Sequence, residues 1–101
     1  MLTKDTVIAL LREQRPRLAR EFGVRRIGLF GSFARGQANE ASDIDLVMEF
    51  DTPIGLRFVD LVEDLERVFG RKVDLLTTAG IQAIRRRELA AAITADILYV
   101  Q

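Results

Sequence analysis

Two aspartates, Asp43 and Asp45, open the segment DIDLVMEF (43–50), which otherwise has the apolar composition of a buried strand. Side chains alternate across a strand, so both carboxylates are expected on one face, about 6–7 Å apart. Ionised carboxylates in such a setting are costly unless a cation compensates them. Paired carboxylates at this spacing are suited to holding divalent metal ions.

A third aspartate, Asp74, lies in the similar apolar context KVDLL (72–76). If its strand neighbours the 43–50 strand, Asp74 joins the same face. The chain contains no cysteine and no histidine. This excludes disulfides, thiolate zinc sites and serine–histidine triads. A metal site in this chain must therefore use oxygen ligands, which favour a hard cation such as Mg²⁺, Mn²⁺ or Ca²⁺.

Upstream, Gly31 and Ser32 lie between an apolar strand and a short helical turn. Glycine lets a ligand approach the backbone, and a helix N terminus with a serine hydroxyl favours phosphate. Arg35, one turn later, adds a charge that can meet a phosphate oxygen. Asp-x-Asp alone is typical of a solvated strand edge, and Gly-Ser alone of a turn. Their ordered combination favours a phosphate site beside a divalent-metal site, the equipment of phosphoryl or nucleotidyl transfer.

The elements that must position these residues follow from the apolar pattern. The pattern shows no repeat and no linker, so residues 1–101 are predicted to form one domain. The order is α-β-α-β-α-β-α, which predicts an α/β fold with a small mixed sheet of about three strands flanked by helices. The predicted elements are a helix over 3–22, kinked or restarted at Pro16; a strand over 24–30; a turn of helix over 32–36; a strand over 43–50; a helix starting at Asp51–Pro53 and ending at Gly70; a strand over 71–78; a helix over 81–95; and an apolar tail, 97–100, docked on the core.

The charge balance limits the classes of partner. The chain has 15 basic and 15 acidic residues and no net charge, which argues against a general nucleic-acid coat and against direct nucleic-acid binding. No apolar stretch approaches the roughly 20 residues of a membrane helix, and the N terminus lacks the pattern of a signal peptide. We therefore expect a cytoplasmic protein without a membrane partner.

Two further features have ordinary interpretations. Arg85, Arg86 and Arg87 are expected to be a solvated helix face, with contact to an acidic partner surface or to a nucleotide as the alternatives, and nucleic-acid binding as the third because the net charge is zero. The apolar tail is expected to belong to the core, with a partner contact as the alternative. Tyr99, the only tyrosine, is expected to pack there, with stacking as its alternative.

The residues of the candidate site, taken together, resemble a known signature. Phe30-Gly31-Ser32, the spacer 33–42 and Asp43-Ile44-Asp45-Leu46 are similar to the signature of the nucleotidyltransferase superfamily that includes DNA polymerase beta. The chain is most similar to the minimal nucleotidyltransferase (MNT) proteins, the antitoxins of HEPN–MNT toxin–antitoxin pairs. The resemblance covers nearly the whole chain, from RRIGLFGSFARG to KVDLL, and implies the nucleotidyltransferase fold.

The resemblance also implies roles for individual residues. Asp43 and Asp45 would bind two Mg²⁺ ions that bridge the triphosphate of ATP. Asp74 would complete the metal site and help to deprotonate the attacking hydroxyl. Gly31 and Ser32 would hold the outer phosphates. Arg35 would either contact phosphate or pair with an acidic neighbour.

The function implied by the resemblance is protein adenylyl transfer. The chain would move AMP from ATP to a tyrosine of a helical HEPN ribonuclease toxin and so act as its antitoxin. A domain of 101 residues has no room for a deep acceptor pocket, so the acceptor is expected on another chain. Two alternatives stay open: neutralisation of the toxin by binding alone, and a stand-alone transferase acting on a small hydroxyl compound such as an aminoglycoside.

Overall fold

The computed structural model describes residues 2–101, which form a four-stranded mixed sheet with helices on both faces. Its elements in chain order are α1 (Lys4–Phe22), β1 (Val24–Phe30), α2 (Gly31–Ala34), β2 (Ile44–Phe50), α3 (Arg57–Phe69), β3 (Val73–Thr77), α4 (Thr78–Gln82), α5 (Arg87–Asp96) and β4 (Leu98–Tyr99). The predicted α/β class and the mixed sheet are confirmed.

The strand order is β3-β2-β1-β4. β1 pairs antiparallel with β2, while β2 pairs parallel with β3 through the crossover helix α3. The fourth strand comes from the tail: Leu98 pairs with Leu29 and Tyr99 with Gly28 in an antiparallel ladder. A two-residue strand has little propensity of its own and forms because β1 offers it a free edge.

The core lies mainly on the sheet face covered by α1 and α3. These helices bury regularly spaced apolar side chains against the strands: Val7, Leu11, Leu18, Leu61, Leu65 and Phe69. The other face carries a smaller cluster built on Phe30, Val47 and Ile81, with Ile93 and Ile97 packed against it. Two layers of helices therefore hold β2 and its aspartate in the centre of the sheet.

Three predicted helix boundaries differ from the structure. α1 does not restart at Pro16 and continues as one helix to Phe22, because its buried face stabilises it beyond the cost of one lost hydrogen bond. α3 begins at Arg57 rather than near Pro53, since Gly55 has a left-handed φ of +62° through which a helix cannot run.

The predicted helix over 81–95 is instead two helices, α4 and α5, separated at the extended residue Arg86. Ile81 and Ile93 both contact the smaller apolar cluster. In one straight helix these two residues would point about 120° apart. The break lets both side chains reach the same face of the sheet.

Between Leu2 and Gln101 the structure contains no helix that is both long and apolar enough to span a membrane.

Candidate active site

The candidate site lies at the end of the sheet where β1 finishes and β2 and β3 begin, which is called the carboxylate edge below. Asp45, the second residue of β2, is opposite Asp74 in the parallel ladder with β3 and opposite Phe30 in the antiparallel ladder with β1. Gly31 follows Phe30 directly and begins α2. The sheet register therefore brings Asp45, Asp74 and the Gly31–Ser32 turn to one place.

Asp45 is the electrostatically strained member of this group. Its pKa is raised from 3.8 to about 6, first because burial removes water from the carboxylate, and then because Asp74 and Asp43 repel its charge. When protonated, Asp45 can also donate a hydrogen bond to Asp74, which raises the pKa further. The nearby positive charge of Arg35 acts in the opposite direction. Burial and like charges are the usual causes of such shifts at functional sites.

The other two aspartates both reach solvent, since Asp43 is half-buried and Asp74 is exposed. Asp43 was predicted inside the 43–50 strand, but in the structure it lies one residue before β2. Its Oδ2 atom is 3.8 Å from Nζ of Lys72, which precedes β3. Asp74 is exposed on β3. Both carboxylates are therefore accessible from solvent, and one already has a cation beside it.

These residues fit a hard divalent cation by their chemistry. The donors are carboxylate oxygens, and Asp45 lies opposite Asp74 in the ladder with β3, so their negative charges repel and raise the pKa of Asp45. A cation at this edge would relieve that repulsion. Over residues 2–101, however, no three acidic, histidine or cysteine side chains already form a metal-binding cluster. The carboxylates share an edge, and coordination would require them to turn towards a common point.

The turn at Gly31 is shaped by the aspartate behind it. Gly31 has a left-handed φ of +73°, and a Cβ atom built on it would lie 2.9 Å from Cγ of Asp45 and closer still to Oδ2. Ser32 is half-buried in α2, and no side chain caps this helix at Phe30. Glycine is thus required both by the backbone conformation and by contact with the carboxylate.

Arg35 pairs with an acidic neighbour, which was one of its two predicted roles. Its Nη1 atom is 2.6 Å from Oδ2 of Asp96 at the end of α5, and its Nε donates to Oε1 of Gln37 at 3.2 Å. The positive charge of the guanidinium also acts to lower the pKa of Asp45, against the larger effect of burial.

The remaining residues singled out from the sequence are three consecutive arginines and the one tyrosine. Arg85, Arg86 and Arg87 are exposed and form no ion pair with any residue from 2 to 101, as expected of a solvated surface. The expected packing of Tyr99 is wrong, since its side chain is 44% exposed. The alternative of stacking is the one observed, because the Arg26 guanidinium lies 3.9 Å from the ring centroid.

An apolar groove of 540 Å³ occupies the opposite ends of β2 and β3, where Met48 and Thr77 pair. Met48 and Thr77 are three residues beyond Asp45 and Asp74, about 10 Å along the strands. The lining of the groove contains none of the three aspartates Asp43, Asp45 and Asp74. The chemistry therefore assigns the candidate site to the carboxylate edge.

Comparison with known families agrees with this geometry. The family model described as "Nucleotidyltransferase domain" matches residues 11–96. The chain belongs to this family. A relative from Thermococcus cleftensis, named protein adenylyltransferase MntA, is 36% identical over 101 residues, covering 99% of this chain and 98% of the relative. The predicted resemblance and the predicted enzyme class, nucleotidyltransferase, are confirmed.

Solved structures share the fold of this nucleotidyltransferase. One, described as a candidate minimal nucleotidyltransferase, superposes with a TM-score of 0.73 at 30% identity, over 96% of this chain and 95% of the other. A toxin–antitoxin complex with AMP-PNP gives 0.65 at 24% identity, over 99% and 73%. A complex of a tri-AMPylated HEPN toxin from Shewanella oneidensis with an MNT antitoxin gives 0.56 at 21% identity, over 97% and 68%. The last two show the common fold.

The structure adds three residues that the sequence pattern did not single out. Lys72 pairs with Asp43, Asp96 pairs with Arg35, and Arg71 donates hydrogen bonds to the loop before Asp43. Each is paired with a residue distant in the sequence. The only sequence signal was the basic pair Arg71–Lys72 placed immediately before the third strand.

In the Arg35–Asp96 ion pair, the Asp96 carboxylate occupies a guanidinium that could otherwise bind a phosphate of a nucleotide. Given the Mg-ATP binding that the sequence predicts, Asp96→Asn is expected to tighten it by about two-fold to five-fold, because the freed guanidinium can turn to phosphate and an exposed ion pair contributes only about 0.2–1 kcal/mol. Isothermal titration calorimetry measures this, with Arg35→Gln expected to weaken binding. Asp51→Asn, at an exposed carboxylate, is the control. Unchanged affinity in both the Asp96 and the Arg35 variants would limit Arg35 to a structural role.

Proposed function

We propose that this nucleotidyltransferase transfers AMP from ATP to a tyrosine hydroxyl of a partner HEPN-type toxin, and so acts as its antitoxin in the cytoplasm. The observation that carries the proposal is the register that brings Asp45 between Asp74 and the Gly31 turn. The name of the Thermococcus relative and the AMPylated toxin found with a protein of the same fold support the choice of reaction and partner.

The metal in this proposal is Mg²⁺, bound as two ions by Asp43, Asp45 and Asp74. When bound, the ions would stabilise the attacking and leaving oxygens of the transfer. The three carboxylates provide oxygen ligands, and their mutual repulsion favours a cation over an empty site. Lys72 would release Asp43 to the metal, since their 3.8 Å ion pair is exposed and weak.

The nucleotide in this proposal is ATP, with its outer phosphates at Gly31 and Ser32. The missing Cβ of Gly31 lets this turn lie directly against the Asp45 carboxylate, so phosphates held there would be next to the proposed metal ligands, and the Ser32 hydroxyl adds a donor. Arg35 would supply positive charge once it leaves Asp96. AMP-PNP in a complex of the same fold supports an adenosine triphosphate as donor.

The chemical step is an in-line substitution at the α-phosphorus. The acceptor oxygen forms a new bond to this phosphorus, the bond to the bridging oxygen of the β-phosphate breaks, and pyrophosphate leaves with the bonding electrons. Asp74 is exposed and can take the proton of the acceptor hydroxyl. The remaining residues act by positioning and by charge compensation, which dominate catalysis of phosphoryl transfer.

The acceptor in this proposal comes from the partner. Asp74 and Asp43 are open to solvent at the sheet edge, so a tyrosine carried by another protein can reach them. The zero net charge of the chain gives no basis for nucleic acid as the acceptor.

Intact-mass spectrometry tests the proposal. The protein encoded by the adjacent gene is incubated with ATP, Mg²⁺ and this nucleotidyltransferase, either wild type, Asp43→Ala or the exposed-loop control Glu40→Gln. Wild type and the Glu40 variant are expected to add one or more AMP units, and the Asp43 variant none. An unmodified partner that still co-purifies would instead favour an antitoxin that acts by binding alone. Modification of a small hydroxyl compound by the isolated protein would contradict the partner-borne acceptor.

A further inference from the structure

One guanidinium contacts the loop that leads to Asp43. Nη1 of Arg71 donates to the backbone carbonyl of Asn39 at 2.9 Å and to that of Ser42 at 3.0 Å. The guanidinium carbon also lies 5.3 Å from the ring centroid of buried Phe33. Arg71 is itself half-buried. Its side chain is therefore held between the loop and α2.

These contacts join the three segments of the candidate site. Ser42 is bonded to Asp43 through one peptide unit, and Phe33 follows Ser32 in α2. Arg71 lies three residues before Asp74, on the turn that enters β3. A single side chain thus links the phosphate segment, the loop that carries one aspartate and the strand that carries another.

The loop has few other bonds that fix its position. Asn39 organises a turn internally, since its carbonyl accepts from the Ser42 amide at 3.1 Å and its side chain accepts from the Ala41 amide at 2.8 Å. Those bonds set the shape of the turn but do not attach it to the sheet. Attachment comes from the Ile44 amide, which donates to the Lys72 carbonyl at 3.0 Å, and from the two Arg71 bonds.

The charge of Arg71 is not used in an ion pair. None of the ion pairs formed within residues 2–101 includes it. Its donors go to neutral carbonyls, and neighbouring Lys72 is the residue that pairs with Asp43. A contact of this kind orients a segment rather than neutralising a carboxylate.

We propose that Arg71 is a positioning residue that fixes Asp43 relative to Asp45 and Asp74 by anchoring the 39–42 turn, so that the carboxylates can bind a divalent cation together. The inference rests on the proposed function, because it assigns Arg71 to the metal site of that function. Groups that orient metal ligands commonly change metal affinity 10-fold to 100-fold when removed. Arg71 acts through the backbone carbonyl next to the ligand rather than on the ligand itself, so the lower end of this range is expected.

The test compares Arg71→Met with Arg12→Met in the full chain. Methionine keeps an apolar stem against Phe33 and removes both donors. Arg12 is exposed on α1 and has no side-chain hydrogen bond or ion pair to residues 2–101, so it is the matched control. Calorimetry with Mg²⁺, and with Mn²⁺ as a second probe, measures the affinity, while hydrogen exchange measures protection of the Ser42 and Ile44 amides.

For Arg71→Met we expect about ten-fold weaker Mg²⁺ binding, faster exchange at Ser42 and Ile44, and unchanged protection of β1. The Arg12 variant is expected to match wild type. Arg71→Lys, which keeps the charge on a shorter stem, is expected to be intermediate in affinity, and it supplies the same measurement if Arg71→Met does not fold.

Several outcomes would overturn the inference. Wild-type Mg²⁺ affinity in Arg71→Met would do so while leaving the proposed function intact. Loss of protection throughout β1 and α1, in step with metal affinity, would make Arg71 a residue of general stability. If wild type itself bound no Mg²⁺ and transferred no AMP, the proposed function would be wrong. This result differs from the first one, in which wild type and Arg71→Met bind Mg²⁺ equally well.

Discussion

Asp45→Asn is expected to abolish adenylyl transfer and, at the same time, to stabilise the metal-free protein at neutral pH. Transfer should fall by roughly 10³-fold, about 4 kcal/mol of activation free energy, because one carboxylate of the proposed metal site is lost. Stability should rise because the ionised carboxylate is partly buried and lies near two others. Asparagine keeps the shape of the side chain and removes the charge.

The pH dependence of this stability follows from the direction of the pKa shift. The folded pKa of Asp45, about 6, is above its ordinary value of 3.8, so the folded state holds this proton more tightly than the unfolded chain. The resulting stabilisation is fully present below pH 3.8 and is lost as the pH rises through about 6. The gain from Asp45→Asn should therefore be small near pH 4 and largest above pH 6.

The size of the gain is limited by solvent. The full pKa difference would correspond to about 3 kcal/mol, but the carboxylate is only partly buried, and screening reduces the expected gain to about 1 kcal/mol. A change of this size shifts the unfolding midpoint of a domain of about this length by roughly 4–8 °C. Thermal unfolding of wild type and Asp45→Asn between pH 4 and pH 8 measures it.

Two comparisons make the result specific. Glu40→Gln removes an exposed carboxylate from the neighbouring loop and should leave both the pH profile and transfer unchanged. Saturating Mg²⁺ should raise the unfolding midpoint of wild type and so reduce the difference in midpoint between wild type and Asp45→Asn, since only wild type has all three proposed ligands. An asparagine variant no more stable than wild type at pH 7.5 would remove the electrostatic argument, and one that still transferred AMP would remove Asp45 from the proposed site.

Much of the fold could be predicted from sequence because its three longer strands are strongly apolar. The 24–30, 43–50 and 71–78 segments were predicted within one or two residues at each end. Asp45 and Asp74 could be expected on one edge because both interrupt such strands near their starts. The parallel pairing of β2 with β3 then brings them opposite each other.

The remaining features depend on contacts that local patterns do not record. β4 exists because β1 has a free edge, and the break at Arg86 exists because Ile81 and Ile93 share one face of the sheet. The partners of the site residues are of the same kind. Asp96 lies 61 residues from Arg35, and its contact depends on how α5 packs beside α2.

A second large effect is expected from Gly31→Ala. An alanine would be strained by the left-handed φ of +73°, which costs about 1–2 kcal/mol. Its Cβ would also lie 2.9 Å from Cγ and 3.1 Å from Cβ of Asp45. Asp45 cannot easily withdraw, because β2 is held between β1 and β3. Overpacking adds about 1–3 kcal/mol, so chemical denaturation should show a loss of about 2–5 kcal/mol, and transfer by the remaining folded protein should also fall.

Gly36→Ala separates the two causes of this loss. Gly36 ends the same short helical segment with nearly the same φ, +71°, but a Cβ there meets nothing within 4 Å. This variant should lose only the 1–2 kcal/mol of backbone strain and should keep its transfer activity. Equal losses in the Gly31 and Gly36 variants would mean that the contact with Asp45 costs nothing.

The decisive form of this prediction is a double-mutant cycle. Asp45→Ala removes Cγ and both carboxylate oxygens, so Gly31→Ala should cost less in that background and approach the cost of Gly36→Ala. A coupling of about 1–3 kcal/mol is expected from the overpacking term. Such coupling would mean that glycine is needed at position 31 because the carboxylate of Asp45 fills the space of its side chain. The Gly-Ser and Asp-x-Asp parts of the sequence would then be linked by direct contact, through the register that sets Phe30 opposite Asp45. Without coupling, glycine would be needed only for the left-handed turn, and the two parts of the motif would be energetically independent.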